Sequence, residues 1–558
     1  MTYIEFKEKT HNFAAKNYRF SRAVPEWFFD RINNISIKAF GYEPYAFQVK
    51  QLWNKLNGKK TKGKFINATG SGKTYIAITG ILYNILYKDS NRVYGMGVHQ
   101  IAVSIQHTKD VFAAFIRMGI TPDVSCMHSI EPIQSQLEKV YEEELECALE
   151  DENDQRYKNI ISVDLNKVDI ACGLSLNLQE RVNNSENNNK PHLVFTTYDS
   201  LQKVINQEVE FTTFNFDEAH KLVRKDYHNN YPERVNAQYK WFYTGTEKET
   251  REANAQGMNN EEKFGTVIGN LSPKEAINEG IIVSPYMIDV FTDLVNRPDK
   301  EDVDASVGPI LLNIIDKNSK FHGPELESQL LTTLKGSKQI RAVLNDPSFI
   351  EGCKERGVKI YAMSSRLGGT IEDPKPGYYV DGGWVTNKSL LTSQLKKDSE
   401  NNTKLVILQI AMADTGLNFR GLNGMVCFRG LDSIAFQQTY GRIARKFKGK
   451  KHGVIYLVDF TLEDVNIKSR MKSHLEFILE LMNEEEVKSY RESNLYEIED
   501  FDPEIDPEIP PTPGPGNSRR SLGGTLIDKI LFDEFTQLSF DEKLKKLDER
   551  YFVEEFGI

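Results

Sequence analysis

The sequence predicts an α/β protein with two successive domains, each a mainly parallel sheet with helices on both faces. Short apolar runs typical of buried strands alternate with amphipathic, helix-like runs, as in sheets whose strands are joined by helical crossovers. This alternation occurs twice, once in residues 41–290 and again in residues 291–465. The region around Pro285 and a polar stretch at residues 296–304 are the expected hinge between the two domains.

Composition limits the class of protein. The chain has 558 residues, of which 39% are hydrophobic and 27% charged, as expected for a globular protein with two to four domains. The net charge of −10 provides no global attraction to nucleic acid, so such binding would need local basic surface. The five cysteines form no CxxC pair, which argues against structural zinc and favours a reducing, cytoplasmic location. No apolar run is long enough to predict a membrane span.

A glycine-rich segment follows the first apolar strand, Phe65-Ile66, and opens the helix-like run of residues 75–87. Backbone N–H groups of such a loop can cradle phosphates, and the helix N-terminus adds partial positive charge. Lys73 would neutralise the β- and γ-phosphates of ATP, and the Thr74 hydroxyl would bind Mg²⁺. The residues predicted to contact the nucleotide are Thr69, Gly70, Ser71, Gly72, Lys73 and Thr74. A glycine turn that binds no nucleotide is the alternative.

Two further elements are expected to complete this site. Gln48 carries a donor and an acceptor that match the edge of adenine, although a surface role is the simpler interpretation of a single glutamine. Asp217 and Glu218 end the apolar strand of residues 214–216, where adjacent carboxylates are costly to bury without a metal or a reaction. We expect Asp217 to hold Mg²⁺, directly or through water, and Glu218 to deprotonate the attacking water.

The first domain is flanked and interrupted by other segments. Residues 1–40 are predicted to be a helical lead-in whose aromatic side chains pack on the domain. Residues 131–190 contain acidic runs and the low-complexity stretch 183–189, which predicts a helical insert that ends in a flexible loop. The insert is either solvated or a surface for protein partners.

The second domain is predicted from residue 291 to residue 465. Strands are expected at residues 339–344, 358–363, 405–410, 425–428 and 453–460, and a helix at residues 349–356 capped by Gly357. Arg442 and Arg445 are three residues apart, so they would share a helix face, where guanidinium groups suit a γ-phosphate. A basic run continues from Arg445 to His452 and is either a nucleic-acid contact or a solvated turn.

The end of the chain is expected to contain three segments. Residues 466–509 are predicted to be a helical and acidic extension, in which residues 494–509 carry seven acids and no lysine or arginine. Residues 510–523 are a Pro/Gly linker, and residues 524–558 a helical tail that could bind a protein partner.

The motifs, in this order, resemble superfamily 2 helicases and translocases of the DEAH type. Residues 68–74 match motif I, Asp217-Glu218-Ala219-His220 motif II, Thr415-Gly416-Leu417-Asn418 motif V, and residues 438–445 motif VI. Thr244-Gly245-Thr246 stands where motif III normally reads Ser/Thr-Ala-Thr. The region around residues 264–285 is similar to the end of the first motor domain in type I and type III restriction subunits and related DNA repair helicases. Asn67 replaces the usual first glycine, motif Ia is diverged at residues 97–100, and Asn418 stands where Asp is frequent.

This resemblance implies two RecA-like domains with ATP in the cleft between them. Gly416 and Asn418 would contact the nucleotide, Gln438, Arg442 and Arg445 would assist hydrolysis, and His220, Thr244 and Thr246 would couple it to movement. Nucleic-acid backbone contacts are expected at strand ends on the face opposite ATP, at His99, Thr197, Ser364, Ser365 and Thr415.

The implied function is an ATP-dependent helicase or translocase, with DNA favoured over RNA by analogy alone. Two alternatives remain: a nucleic-acid-activated ATPase that acts as a switch, and a motor subunit of a defence or restriction complex without intrinsic unwinding. No nuclease, methyltransferase or zinc motif is evident in the sequence, so the resemblance does not imply cutting.

Overall fold

The computed structural model describes most of residues 1–459. The described residues are 1–7, 23–88, 92–128, 133–149, 159–223, 230–248, 257–291, 300–369, 374–385, 388–410, 419–429, 431, 433–459, 478 and 481. Among these residues, no helix is both long enough and apolar enough to cross a membrane. The predicted acidic extension from residue 482 onward, the Pro/Gly linker and the C-terminal tail lie outside the described residues.

The chain divides into two compact units, Met1–Ser272 and Pro273–Ile558. The division falls before the boundary at residue 290 expected from the sequence. The reason is the strand Ser284–Phe291, which pairs in parallel with the strand His452–Asp459 along its whole length. Residues 284–291 therefore belong to the second sheet. The other predicted domain limits stay predictions.

The first unit is an alternation of strands and helices. Its helices are α1 Glu26–Phe40, α2 Ala46–Asn57, α3 Lys73–Tyr87, α4 Ile101–Arg117, α5 Ile133–Leu149, α6 Leu178–Asn187, α7 Leu201–Ile205, α8 Tyr231–Arg234 and α9 Glu261–Phe264. Its strands are β1 Lys62–Asn67, β2 Val93–Val98, β3 Asp123–Met127, β4 Ile170–Cys172, β5 His192–Thr197, β6 Phe211–Phe216, β7 Ala237–Thr244 and β8 Thr266–Leu271.

All eight strands of this unit form one parallel sheet in the order β4-β3-β5-β2-β6-β7-β1-β8. Strands β2 and β5 are buried along their whole length, as expected for a sheet covered on both faces. Close packing requires glycine at position 95, because a Cβ there would lie 2.2 Å from the ring of Phe214. Parallel pairing brings the ends of β1, β6 and β7 to the same edge, where the motif residues follow them.

The described part of the lead-in, residues 1–7 and 23–40, packs on the first unit, as the aromatic pattern predicts, and residues 8–22 lie outside the described residues. Phe28 of α1 is fully buried and its ring lies 4.9 Å from that of Trp53 and 5.2 Å from that of Tyr83. Trp27 on the same helix is 47% exposed, although its ring meets those of Phe28 and Trp53.

The described part of the insert, residues 133–149 and 159–190, has more regular secondary structure than the sequence predicts. It adds β4 to the edge of the sheet and contains α5 and α6. The stretch 183–187, expected in a flexible loop, lies in α6 because Asn177 caps the start of that helix and buried Leu178 and Val182 attach it to the core.

The second unit repeats the alternation. Its helices are α10 Pro273–Asn278, α11 Lys300–His322, α12 Ser337–Leu344, α13 Pro347–Glu355, α14 Lys388–Glu400 and α15 Ser433–Ile443. Its strands are β9 Ser284–Phe291, β10 Gln329–Thr333, β11 Lys359–Gly369, β12 Pro374–Val380, β13 Gly383–Val385, β14 Leu405–Gln409, β15 Gly424–Cys427 and β16 His452–Asp459.

The second sheet has the order β13-β12-β11-β14-β10-β15-β16-β9 and is parallel except at one edge, where β12 pairs antiparallel with both β11 and β13. The strand predicted at residues 339–344 is wrong, because these residues form α12. Ile340 and Val343 are buried three residues apart, which is a helical spacing, and the strand precedes them as β10. The fold class, α/β with two RecA-like domains built on mainly parallel sheets, is confirmed.

Candidate nucleotide site and nucleic-acid contacts

The glycine loop, residues 68–72, joins β1 to α3. Gly70 and Gly72 have φ angles of 88° and 89°, a left-handed conformation that glycine adopts without strain. A Cβ on Gly72 would also lie only 2.6 Å from Nε2 of Gln48. Ser71 is 2% exposed, and its hydroxyl has no hydrogen-bond partner within the described residues. A buried hydroxyl in a loop with two left-handed glycines is suited to bind an anion.

Asn67 stands where motif I usually begins with glycine, and its side chain has a structural partner. The amides of Asn67 and Gln51 exchange two hydrogen bonds, of 2.7 and 2.9 Å, in a fully buried position. The pair joins the end of β1 to α2. Asn67 therefore fixes this position through its side chain, where a glycine would leave the backbone free.

Two predicted nucleotide contacts lie directly against the loop. Lys73 is 9% exposed and donates from Nζ to the carbonyl of Asn67 at 3.2 Å. Gln48 donates from Nε2 to the carbonyl of Ser71 at 3.2 Å, and its Oε1 accepts from the N–H of Tyr45 at 3.0 Å. Gln48 therefore supports the loop itself, and its predicted contact with adenine stays a prediction. Thr74 lies in the first turn of α3 and is partly exposed.

Asp217 and Glu218 follow β6 at the same edge of the sheet. The Asp217 Oδ1 accepts from the N–H of Glu218 at 3.0 Å, and its Oδ2 lies 2.7 Å from Nε2 of His107. Glu218 has φ 50° and ψ 47°, a strained conformation for a residue with a side chain. Its Oε2 is buried, lies 3.4 Å from Nδ1 of His220, and makes no hydrogen bond within the described residues. Glu218 thus keeps an acceptor available for water.

Charge stabilises the ionised form of Asp217. Burial alone would raise the pKa of Asp217, but the hydrogen bond from His107 and the charges of His107 and Lys73 outweigh it, so that the pKa is lowered. For His107, burial would lower the pKa, but the hydrogen bond and charge of Asp217 outweigh that effect and raise it. The two groups therefore favour an ionised carboxylate beside a protonated imidazole.

The residues predicted to couple hydrolysis to movement are in contact. His220 Nδ1 lies 3.0 Å from the hydroxyl of Thr244, which donates to the carbonyl of Thr246 at 2.7 Å. Burial lowers the pKa of His220 to about 4, so this histidine is neutral near pH 7. Between the two threonines, a Cβ on Gly245 would lie 2.8 Å from Oγ1 of Thr69, so motif III directly adjoins the glycine loop.

Motif VI lies at the end of α15 in the second unit. Gln438 and Arg442 are on this helix, and Arg442 is 9% exposed. The expectation that Arg442 and Arg445 share a helix face is wrong, because α15 ends at Ile443 and Arg445 forms an isolated antiparallel bridge with Ile282. Burial, followed by the charges of Arg442 and Arg420, lowers the pKa of Arg445 to about 9, so it remains charged at neutral pH.

The predicted nucleic-acid contacts differ in their exposure. His99 is partly exposed after β2, whereas Thr197 is 4% exposed at the end of β5 and donates to Ser200. Ser364 is 5% exposed and accepts from the N–H of Arg366; Ser365 follows it within β11. Thr197 ends its strand as predicted, whereas Ser364 lies in the middle of β11 and not at a strand end. Both hydroxyls are largely covered. Thr415, Gly416 and Asn418 lie outside the described residues.

The basic run does not form a single exposed surface. Lys446 and Lys448 are exposed, but Lys450 is 7% exposed and donates to the carbonyls of Arg420 and Leu422 at 2.8 and 2.7 Å. His452 begins β16 and its Nδ1 lies 2.9 Å from the hydroxyl of Ser284. Lys450 and His452 therefore have structural contacts, and only part of the run is available to a phosphate backbone.

Sequence reasoning missed three side chains around the site. His107 contacts Asp217, Tyr198 donates from its hydroxyl to the Asp217 carbonyl at 2.5 Å, and Lys55 donates to the Tyr243 hydroxyl at 2.7 Å. A signal existed for His107, which interrupts the apolar stripe of α4 one turn after Val103 and one turn before Val111. Nothing local in the sequence distinguishes the other two from ordinary core residues.

Part of the first unit matches a known protein family. Residues 42–248 match the family model described as type III restriction enzyme, res subunit. The match covers less than half of the chain, and it confirms the resemblance to the motor of restriction subunits. No curated protein was found to match the sequence.

Comparison with solved structures supports the same fold for the chain. One similar structure is described as the ATP-dependent Type ISP restriction-modification enzyme LlaBIII bound to DNA, at 14% identity and a TM-score of 0.58, covering 92% of this chain and 34% of that one. Another is a nuclease-deletion mutant of the Type ISP enzyme LlaGI with a DNA substrate mimic, at 12% identity and a TM-score of 0.50, covering 90% and 33%. This chain thus spans about a third of each of these proteins.

Proposed function

We propose that this chain is an ATP-dependent motor that moves on nucleic acid, with DNA favoured as the track. The observation that carries the proposal is the convergence, at one edge of the first sheet, of the glycine loop, Lys73, Asp217 and Glu218. Motif III adjoins them through Gly245. A family match to a restriction res subunit over residues 42–248 supports the same assignment.

The chemistry of these residues fits a triphosphate and Mg²⁺. The left-handed glycines suit phosphate oxygens, as does the Ser71 hydroxyl, which no described residue hydrogen-bonds. Buried Lys73 contacts the Asn67 carbonyl, which a stronger anionic partner would replace. Thr74 and Asp217 would supply oxygen ligands, and Mg²⁺ ordinarily takes its remaining ligands from water and substrate phosphates. When bound, Mg²⁺ would neutralise charge on the β- and γ-phosphates.

The chain's own groups would divide the work as follows. Glu218 would hold and deprotonate the attacking water through its buried acceptor oxygen. His220 is neutral and in contact with Thr244, so it would relay a change at Glu218 to motif III. Arg442 and Gln438 would act on the γ-phosphate from the second unit, as the order of the motifs predicts.

A second candidate is a motor module of a larger restriction or defence assembly. It is favoured by the similar Type ISP enzymes, of which this chain covers about a third. Nucleic-acid cleavage is not part of either proposal, because no nuclease motif is evident in the sequence.

The test is ATP hydrolysis with a panel of single- and double-stranded DNA and RNA, run beside strand displacement and triplex displacement on DNA. Stimulation by DNA with displacement supports a motor on DNA. Stimulation of hydrolysis without strand or triplex displacement would favour a nucleic-acid-activated ATPase that acts as a switch. Stimulation by RNA alone would overturn the choice of DNA. Absence of hydrolysis with every nucleic acid would overturn the proposal.

A further inference from the structure

His107 is a buried imidazole whose described polar contact is the carboxylate of Asp217. It is 7% exposed on α4, and its Nε2 lies 2.7 Å from Oδ2 of Asp217, 110 residues further along the chain. Its Nδ1 is buried and makes no hydrogen bond within the described residues. Because a buried polar ring is costly unless it is hydrogen-bonded, an apolar side chain would fill this space better if packing were the only requirement.

The carboxylate of Asp217 needs external contacts to fix its plane. The χ2 torsion of aspartate is broad, so the side chain alone does not choose an orientation. Oδ1 accepts from the Glu218 N–H at 3.0 Å, and Oδ2 faces His107. Each carboxylate oxygen can accept more than one hydrogen bond or ligand, so these contacts hold the plane and leave lone pairs for a cation.

We propose that His107 is a positioning residue that holds the carboxylate of Asp217 in the orientation that binds the divalent cation accompanying the nucleotide. This inference rests on the proposed function. Residues that hydrogen-bond a metal-binding carboxylate typically change metal affinity or activity 10- to 100-fold when removed.

Helix α4 is well suited to this positioning. Val111, Phe112 and Phe115 are buried, and Thr108 donates to the carbonyl of Ser104 at 2.8 Å. The helix begins at Ile101, two residues after His99, which the sequence predicts to contact nucleic acid. A candidate nucleic-acid contact thus lies just before α4, and the partner of Asp217 lies in the second turn of α4.

The test compares His107→Ala, His107→Gln and His107→Asn with the wild-type protein. The amide nitrogen of glutamine can reach the place of Nε2, whereas that of asparagine lies nearer the place of Nδ1 and falls short of Asp217. Thr108→Val is the matched control, because it removes a neighbouring buried polar group of α4 that has no contact with Asp217.

Two quantities are measured on the full chain. One is the affinity for a fluorescent ATP analogue in excess Mg²⁺ and in EDTA, and the other is the Mg²⁺ concentration that gives half-maximal ATP hydrolysis. For His107→Ala and His107→Asn we expect the tightening of nucleotide binding by Mg²⁺ to fall about 10-fold and the Mg²⁺ requirement to rise about 10-fold. Affinity in EDTA should not change, and His107→Gln and Thr108→Val should resemble the wild type.

The outcomes separate the two levels of inference. A wild-type protein that neither hydrolyses ATP nor binds the analogue more tightly with Mg²⁺ would overturn the proposed function. A wild-type protein that does both, with His107→Asn indistinguishable from His107→Gln, would overturn the role of His107 alone. This pair decides the question even if His107→Ala does not fold.

Discussion

Glu218 shows how a single residue can reveal function through its backbone. Its left-handed conformation costs of order 1–3 kcal/mol for a residue with a side chain. The conformation follows directly after β6 and leaves Oε2 buried beside His220. Backbone strain is frequent at active sites, which supports the proposed role of Glu218 as the base.

At Glu218 we expect the isosteric change to Gln to preserve binding of Mg-ATP and to slow hydrolysis at least ~10²-fold, because a general base contributes about that much. The measurement is single-turnover hydrolysis beside analogue binding. Normal hydrolysis with greatly weakened binding would show that Glu218 is structural and that the base lies elsewhere.

At Gly245 we expect the change to Ala to disturb the nucleotide loop. The added Cβ would lie 2.8 Å from Oγ1 of Thr69 and 3.6 Å from Nζ of Lys73. Overpacking of this kind costs about 1–3 kcal/mol, so ATP affinity should fall roughly tenfold. Equilibrium binding of the analogue tests this, with Gly383→Ala as the control, since a Cβ there meets its nearest neighbour at 3.8 Å. Equal affinities in the two variants would contradict the close approach.

At the scale of elements, local pattern in the sequence predicted several elements correctly, although residues 339–344 were predicted as a strand and form α12. Turn chemistry and periodicity predicted the glycine loop and helix α13 to within a few residues of their observed bounds. The predictions failed where contacts between residues far apart in the sequence decide the structure. Strand β9 belongs to the second sheet because of β16, and α15 stops before Arg445 because residues 282 and 445 pair. The contact between His107 and Asp217 likewise depends on how α4 packs, which no spacing in the sequence records.

Lys55 is the buried cation that joins four elements of the first unit. It is 3% exposed on α2 and lies within hydrogen-bond distance of the Ile76 carbonyl in α3, of Asn215 in β6 and of Tyr243 in β7. Burial lowers its pKa to about 7. Its amine therefore loses its proton in the folded protein at a lower pH than in the unfolded chain.

This shift predicts a pH dependence of stability. Between about pH 7 and the ordinary lysine pKa of about 10.4, the unfolded chain binds more protons at this site, so the Lys55 contribution to the free energy of unfolding should rise with pH. Below pH 7 both states are protonated and the contribution is constant. Urea unfolding of wild type and Lys55→Met at pH 7, 8 and 9 measures it, as the difference between the two proteins. A difference that does not change with pH would show that Lys55 is not desolvated as described.

For the whole molecule, the central prediction is that hydrolysis requires both units. The glycine loop belongs to the first unit and Arg442 to the second. The motif order assigns Arg442 to the charge that develops on the γ-phosphoryl oxygens during transfer. Under the proposed function, the glycine loop and Arg442 can act on the same ATP only when a conformational change brings them together.

Arg442→Ala should therefore leave ATP binding nearly unchanged and lower kcat by ~10³ or more, the scale of arginine fingers. Arg442→Lys should restore little, because an ammonium lacks the guanidinium fork. Steady-state kinetics with and without DNA, beside analogue binding, provide the measurement. Wild-type kcat in Arg442→Ala would remove the second unit from the chemistry.

The position of β1 in its sheet also has a consequence during synthesis. Both neighbours of β1, the strands β7 and β8, are encoded roughly 170 to 200 residues after it. At about 5–20 residues per second, the ribosome needs of order 10–40 s to supply them. During that interval Phe65, which later stacks on Tyr243, has no strand to pack against. The nascent chain thus carries β1 without its native neighbours for many seconds, a window in which a chaperone can bind it.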